Sequence, residues 1–257
     1  MGSEARVAFV TGAGSGIGRG IVNRLAKDGF AVAVTDIDVA AAEATASELG
    51  DGGASACALR CDVTDLDEVQ RAAQETEGIL GGIDLLVNNA GFDLPGFFLQ
   101  TDPDTWRSLI AVNLMGVINC TYAMAPLIAA RSTSSGYGRI VNIASDAGRV
   151  GSLGEAVYSA AKGGVIAFSK AMARELARDR ITVNAICPGP ADTPMTDAIR
   201  QTELGEKLMQ RLVAATPLKR LASIEDIAGA VAYFASDDAS FLTAQVVSIS
   251  GGLTIPG

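Results

Sequence analysis

Seven short runs rich in Val, Ile and Ala recur along the chain, with six longer segments of helical periodicity between them, and this alternation is what most restricts the fold. The runs fall at Arg6–Thr11, Phe30–Thr35, Ala54–Cys61, Asp84–Asn88, Gly138–Ser145, Thr182–Cys187 and Gln245–Ser250. Helical segments lie near Gly16–Asp28, Val39–Leu49, Leu66–Glu77, Thr105–Arg131, Glu155–Ala177 and Ile224–Ser236. Runs such as "VAFVT", "DLLVN" and "RIVNIAS" are almost continuously apolar. A half-exposed strand alternates apolar and polar residues, so continuous runs predict strands covered on both faces, as in a parallel sheet. The expected architecture is α/β: a doubly wound parallel sheet of about seven strands with helices on both faces.

No linker rich in Pro, Gly or Ser divides the 257 residues, and a single domain over 1–257 is expected, with a cofactor-binding half near 1–110 and a catalytic and substrate half near 111–257. "PGPADTPM", from Pro188, interrupts the alternation, and the segment near 190–215 reads as a substrate lid. The net charge of −9 and the lack of any Lys/Arg-rich run argue against a nucleic-acid surface. "MGSEARVAFV" has no signal-peptide pattern, and the apolar runs read as too short for a membrane span, so a cytoplasmic location is expected with no membrane partner. Cys57 and Cys61 are four apart in a strand, roughly 13 Å, too far to bridge. With no CxxC and no histidine, no metal site is expected.

The first run leads directly into "TGAGSGIG" and then into a helical pattern. Gly12, Gly16 and Gly18, with Ser15 and Ile17 between them, permit a tight turn that brings backbone amides and a helix N-terminus to a pyrophosphate. The spacing is GxxxGxG rather than GxGxxG. Asp36 ends the second run, where a carboxylate accepts hydrogen bonds from an adenosine ribose and repels a 2′-phosphate. No arginine stands at Ser15 or Ile37, so NAD is favoured over NADP. Asp62 and Val63 in "CDVTD", and Asn89, Ala90 and Gly91 in "NNAG", fall at the ends of the next two strands, along the same crevice.

"YSAAK" places Tyr158 and Lys162 on one helical face. An ammonium about 4 Å from the phenol would lower its pKa by roughly three units at an effective dielectric near 20. In a chain without histidine, that pair is a candidate for acid–base work. Ser145 ends the strand "RIVNIAS", and Asn113 lies in "AVNLMG" within the long helix after the fourth strand.

Taken together, "TGAGSGIG", Asp36, "CDV", "NNAG", Asn113, Ser145, "YSAAK" and "PGPADT" resemble the classical short-chain dehydrogenase/reductase family over essentially the whole chain, in order and spacing. The resemblance implies a Rossmann-type fold and NAD(H)-dependent interconversion of a secondary alcohol and a ketone. It implies Tyr158 as general base or acid and Ser145 as hydrogen-bond donor to the substrate oxygen. Lys162 would tune the phenol and hold the nicotinamide ribose, and Asn113 would hold a relay water. Pro188, Gly189, Ala191 and Thr193 would bind the nicotinamide carboxamide. "NIASDAGRVGSLGEAVYSAAKGG" and the tail "SDDASFLTAQVVSISGGLT" are similar to the branch that handles alicyclic acyl-CoA compounds, so the implied substrates are small alcohols or ketones, a CoA thioester among them.

Arg149, Arg200, Lys207 and Arg211 are candidates for CoA phosphates, with solvated helix charges as the plainer reading. Phe92, Leu94, Phe97, Phe98 and Leu99 suggest an apolar substrate pocket, although core packing would explain some of them equally well. A 3-oxoacyl-carrier-protein reductase is a second enzyme reading, with an expected NADPH preference that Asp36 opposes. A dinucleotide-sensing protein without turnover is a third. In the family, the two long helices pack between subunits, which implies a homotetramer.

Overall fold

The computed structural model describes residues 5–192 and 203–255. Its seven strands are β1 (Val7–Thr11), β2 (Ala31–Asp36), β3 (Ala56–Arg60), β4 (Leu85–Asn88), β5 (Gly138–Ile143), β6 (Ile181–Pro188) and β7 (Val246–Ile249). They form one parallel sheet in the order β3-β2-β1-β4-β5-β6-β7. From β1 the chain steps outward to β2 and β3, then returns to the other side of β1 and steps outward again. The connections therefore diverge between β1 and β4, which leaves a crevice above the strand C-termini.

Every residue of β1, β4 and β5 is buried, the polar Thr11, Asn88, Arg139 and Asn142 along with the apolar majority. Period-two alternation sorts these side chains between two cores. On one face Val10, Val32, Val34, Leu85 and Val87 meet Ile21 and Leu25 of α1 (Gly16–Lys27) and Val231 and Phe234 of the last long helix. On the other, Phe9, Ala33, Leu86 and Ile140 meet Val69 of α3 (Leu66–Leu80) and Met124 and Ile128 of α5 (Gly116–Ser135). The remaining α-helices among the described residues are α2 (Val39–Asp51), α4 (Pro103–Ile110), α6 (Ala147–Val150), α7 (Ala156–Glu175), α8 (Glu203–Ala215) and α9 (Ile224–Ala235).

The continuous helix expected over Thr105–Arg131 is interrupted. Asp102 caps α4 by accepting from the Asp104 and Thr105 amides, with Pro103 in the first turn, so the helix begins earlier than its periodicity suggests. A π-helical turn over Ala111–Met115 then separates α4 from α5. The side-chain amide of Asn113 donates to the Leu109 carbonyl at 3.0 Å, competing with the regular helical ladder where that ladder widens. The helical run Pro103–Ser135 is 33 residues long and holds an 18-residue stretch with a mean hydropathy of 1.5, enough by length and composition alone to cross a membrane. Its Val117, Cys120, Met124 and Ile128 are instead buried within this fold.

Candidate active site and dinucleotide cleft

The first side of the crevice is the turn between β1 and α1. Gly12 and Gly16 adopt φ of 61° and 52°, in the left-handed region where a side chain is strained. A Cβ on Gly18 would lie 2.0 Å from the Gly12 carbonyl oxygen, so this glycine is required by close approach of backbone to backbone. Asn89 braces the same turn: its amide donates to the Thr11 and Gly12 carbonyls at 2.9 and 3.0 Å. Ser15 makes no side-chain cap on α1, and no acidic residue stands in the first helical turn. The first-turn amides thus face the crevice without a competing carboxylate, as an anion requires.

Asp36 sits at the C-terminus of β2 with both oxygens held, one accepting from the Gly14 amide and the other from the Asp38 amide, each at 3.0 Å. Beside it Ile37 is exposed, with an apolar side chain where an arginine could have met a phosphate.

The opposite side is built by β5 and α7. Ser145 lies just past β5, where its hydroxyl accepts from the Ala147 amide at 3.1 Å, and it lines the cleft together with Tyr158 of α7. Lys162, one turn further along α7, is only 3% exposed; its Nζ donates to the Ile143 carbonyl at 2.9 Å and lies 5.7 Å from the Tyr158 ring centroid. Close approach of α6 to α7 depends on Gly148, where a Cβ would fall 2.6 Å from the Gly163 nitrogen. Asn113 is fully buried below Gly91, and its amide donates to the Phe92 carbonyl at 2.8 Å. Its Oδ1 has no hydrogen-bond partner among the described residues, and a Cβ on Gly91 would meet that oxygen at 2.6 Å and Lys162 Nζ at 3.3 Å. An unsatisfied buried carbonyl close to an ammonium is a place for a bridging water.

Electrostatics depart from the sequence expectation. Burial pushes the Tyr158 phenol up to about 12, with the Ser145 hydrogen bond opposing and the charges of Asp93 and Glu155 adding to the rise. Burial also pushes the pKa of Lys162 down to about 8, with Cys187 and Asp93 acting in the opposite direction. Asp93 is itself raised to about 6, first by burial and then by Glu155.

Between the two sides runs a cleft of about 690 Å³, within the range of cofactor sites. Gly12, Ser15, Gly16, Ile17, Gly18, Asp36, Asp62, Val63, Asn89, Ala90, Gly91, Ser145, Tyr158, Lys162, Pro188, Gly189 and Ala191 all line it. Asn113 stands behind the wall instead of in it, and Thr193 lies outside the described residues, as does Arg200. The glycine cradle, the free helix N-terminus and the Asp36 acceptor fit an extended dinucleotide.

Several lining residues carry no sequence signal of their own. Cys61, Val112, Ile143 and Ala144 are ordinary core residues that end at the crevice. Asp93 could have been noticed as an acidic side chain two residues beyond "NNAG". Its loop is tied to the start of α7 by a Gly96 N–H to Gly154 carbonyl bond of 2.7 Å. Leu94, Phe97, Phe98 and Leu99 are exposed and not core, with Phe98 stacked on Trp106 at 4.9 Å. Arg149 is half-buried, and its Nη1 donates to the Val246 carbonyl and the Ser248 hydroxyl of β7. All four cysteines are unpaired.

A doubly wound parallel sheet with a dinucleotide cleft at its switch point, and a Ser, Tyr and Lys set on one wall, defines a nicotinamide-dependent oxidoreductase of alcohol and ketone groups. The chain belongs to the short-chain dehydrogenase/reductase family: the family model described as enoyl-(acyl carrier protein) reductase matches residues 12–254. It is 41% identical to nodulation protein G of Azospirillum brasilense, over 96% of this chain and 98% of the relative. It is 38% identical to the 3-oxoacyl-[acyl-carrier-protein] reductase FabG of Staphylococcus aureus strain Mu50, over 96% of this chain and 97% of that one. It is also 38% identical to the (2S)-[(R)-hydroxy(phenyl)methyl]succinyl-CoA dehydrogenase subunit BbsD of Thauera aromatica, over 99% of both. The crystal structure of a single-substitution variant of actinorhodin polyketide ketoreductase with NADPH superimposes with a TM-score of 0.91 at 36% identity, covering 98% of this chain and 99% of that one.

Proposed function

We propose that the protein is an NAD(H)-dependent oxidoreductase that interconverts a secondary alcohol and a ketone, with cyclic or hydroxyacyl-CoA compounds as the substrate class. The carrying observation is Ser145, Tyr158 and Lys162 gathered on one wall of the cleft, opposite the glycine turn and Asp36. When bound, the dinucleotide supplies or accepts the hydride. Ser145 donates a hydrogen bond to the substrate oxygen and steadies charge developing there. Tyr158 gives that oxygen a proton in reduction and removes one in oxidation. With the phenol raised to about 12, its protonated form prevails at neutral pH, which suits reduction, and oxidation gains as pH rises. Lys162 holds a charge beside the phenol face, and Asn113 Oδ1 accepts from the water that relays the proton. Pro188, Gly189 and Ala191 form the wall for the carboxamide; Thr193, the fourth candidate, lies outside the described residues.

The preference for NAD rests on Asp36, whose carboxylate stands ready for ribose hydroxyls and against a 2′-phosphate. Likeness to BbsD, and the resemblance of "NIASDAGRVGSLGEAVYSAAKGG" to 2-hydroxycyclohexanecarboxyl-CoA dehydrogenase, support an acyl-CoA substrate. A second reading, 3-oxoacyl-carrier-protein reductase, is supported by the likeness to FabG. In the leading reading the chain is one domain, with 190–215 as its substrate lid, of which residues 193–202 lie outside those described, assembled as a homotetramer in the cytoplasm; its unpaired thiols suit a reducing compartment.

The test is a panel of cyclohexanol, isopropanol, 3-hydroxybutyryl-CoA and 2-hydroxycyclohexanecarboxyl-CoA assayed with NAD and NADP, together with acetoacetyl-carrier protein assayed with NADH and NADPH. The expected kcat/KM with NAD exceeds that with NADP by about tenfold or more, and Tyr158→Phe lowers turnover by about 10³-fold with NADH affinity retained. A preference for NADP refutes the cofactor assignment. Substantial turnover by the Phe variant refutes Tyr158 as the proton-transfer group.

A further inference from the structure

Ser145 is followed by a buried carboxylate that the chemistry above leaves unused. Asp146 is 5% exposed, and its Oδ1 accepts from the Ser248 hydroxyl of β7. Arg149 Nη1 donates to the same Ser248 oxygen at 2.9 Å, so Arg149, Ser248 and Asp146 form a chain of donors and acceptors. The Asp146 N–H donates to the Pro188 carbonyl at 3.1 Å, and the Gly189 N–H to the Ile249 carbonyl at 3.1 Å. Asp146 Oδ2 has no hydrogen-bond partner among the described residues, and a Cβ on Gly189 would lie 3.6 Å from it and 2.9 Å from Ser250 Cβ.

One side chain therefore stands behind the ends of three adjacent strands, at the level where the regular β5 to β6 register stops at Ile143 and Ile186. Asp146 does not line the cleft, whereas Ser145, Pro188 and Gly189 on either side of it do. For stability alone such a group is a poor choice, because a buried carboxylate with one open oxygen costs more than an apolar residue of the same size. Its placement suits a different task. Beyond the last strand pair the Asp146 N–H still reaches the Pro188 carbonyl, and the Asp146 side chain adds a tie from this end of β5 across to Ser248 of β7.

We propose that Asp146, held by Ser248 and Arg149, is a positioning residue that fixes the separation between the Ser145 hydroxyl and the Pro188–Gly189 wall of the cleft. It rests on the reading of Ser145 as donor to the substrate oxygen and of that wall as the nicotinamide end. Hydride transfer is sensitive to misplacement on the scale of about 1 Å, so a loosened wall slows chemistry without weakening the distant adenosine half.

The test compares Asp146→Ala, Asp146→Asn, Ser248→Ala and Ser145→Ala in the intact chain. Affinity for ADP-ribose reports the adenosine half, the fluorescence of bound NADH reports the nicotinamide half, and kcat with the fastest compound of the panel reports chemistry. For Asp146→Ala and Ser248→Ala the expected result is ADP-ribose affinity within about twofold of the parent, altered NADH fluorescence and kcat lower by about 10- to 100-fold. Asp146→Asn keeps an acceptor for Ser248 and is expected to restore most of kcat. Should Asp146→Ala fail to fold, Ser248→Ala, which removes one hydroxyl, decides the matter. Unchanged kcat and NADH fluorescence in Ser248→Ala, or a kcat loss matched by equal losses of ADP-ribose affinity and Tm, overturns the positioning role. If Ser145→Ala keeps full turnover, the underlying functional reading fails instead.

Discussion

Lys162 carries its charge at a depth where an isolated lysine would shed it. Complete burial pushes its pKa down to about 8, while the Ile143 carbonyl at 2.9 Å gives the ammonium one fixed acceptor. Unfolded, the same side chain titrates near its ordinary value of about 10.4. Between these values the unfolded chain binds a proton that the folded chain has lost, so stability rises with pH in this window. The contribution is fully present above about 10.4 and is lost as pH falls through about 8. Relative to Lys162→Met, which has no charge to desolvate, the parent should gain up to about 1.4 kcal/mol per pH unit across that range. Chemical denaturation of both proteins at several pH values measures it, and a pH-independent difference would falsify the assignment. The sequence placed Tyr158 and Lys162 on one face correctly, because helical spacing alone decides that. It misjudged the balance of charge and burial, since depth depends on β5, α6 and the 92–97 loop closing around the pair.

Among the elements, those that depend on local pattern were the most legible. Strands β1, β4 and β5 begin or end within a residue or two of their apolar runs, and α1 starts at Gly16 as the glycine turn requires. The break between α4 and α5 was hidden, because "AVNLMG" is good helical sequence and its π-helical turn arises where Asn113 reaches the Leu109 and Phe92 carbonyls. Tertiary partners of this kind have no signature in periodicity. The glycine turn, by contrast, explains its own sequence. Gly18→Ala would place a methyl 2.0 Å from the Gly12 oxygen and 2.6 Å from Asn89 Nδ2, and neither backbone nor brace can move without opening the cradle. The expected outcome is a loss of NADH affinity of at least about tenfold with a Tm lower by several degrees, the strain falling in the range of overpacked sites. Titration of NADH fluorescence and a thermal melt check both, and an Ala variant that binds like the parent would show the turn to be slack.

At the scale of the whole molecule, the outward faces of α5 and α7 do not look like water-facing helices. From Gly116 to Ala130 the sequence holds no charged residue, and Met115 and Tyr122 stand 44% and 67% exposed. Ala156, Ala160, Ala167 and Ala171 of α7 are likewise exposed, and small side chains let a second helix approach closely. A monomer rarely leaves so long an apolar stripe open, whereas paired helices from two copies would cover it. The expected species at micromolar concentration is a tetramer by sedimentation velocity. Ala167→Glu, which adds a charge at the centre of the stripe, should shift it to a smaller species while the monomer fold, read by circular dichroism, survives. A parent protein that sediments as a monomer rules out the assembly. A tetramer indifferent to Ala167→Glu means that α7 is not its seam, and that the stripe faces something other than a second copy.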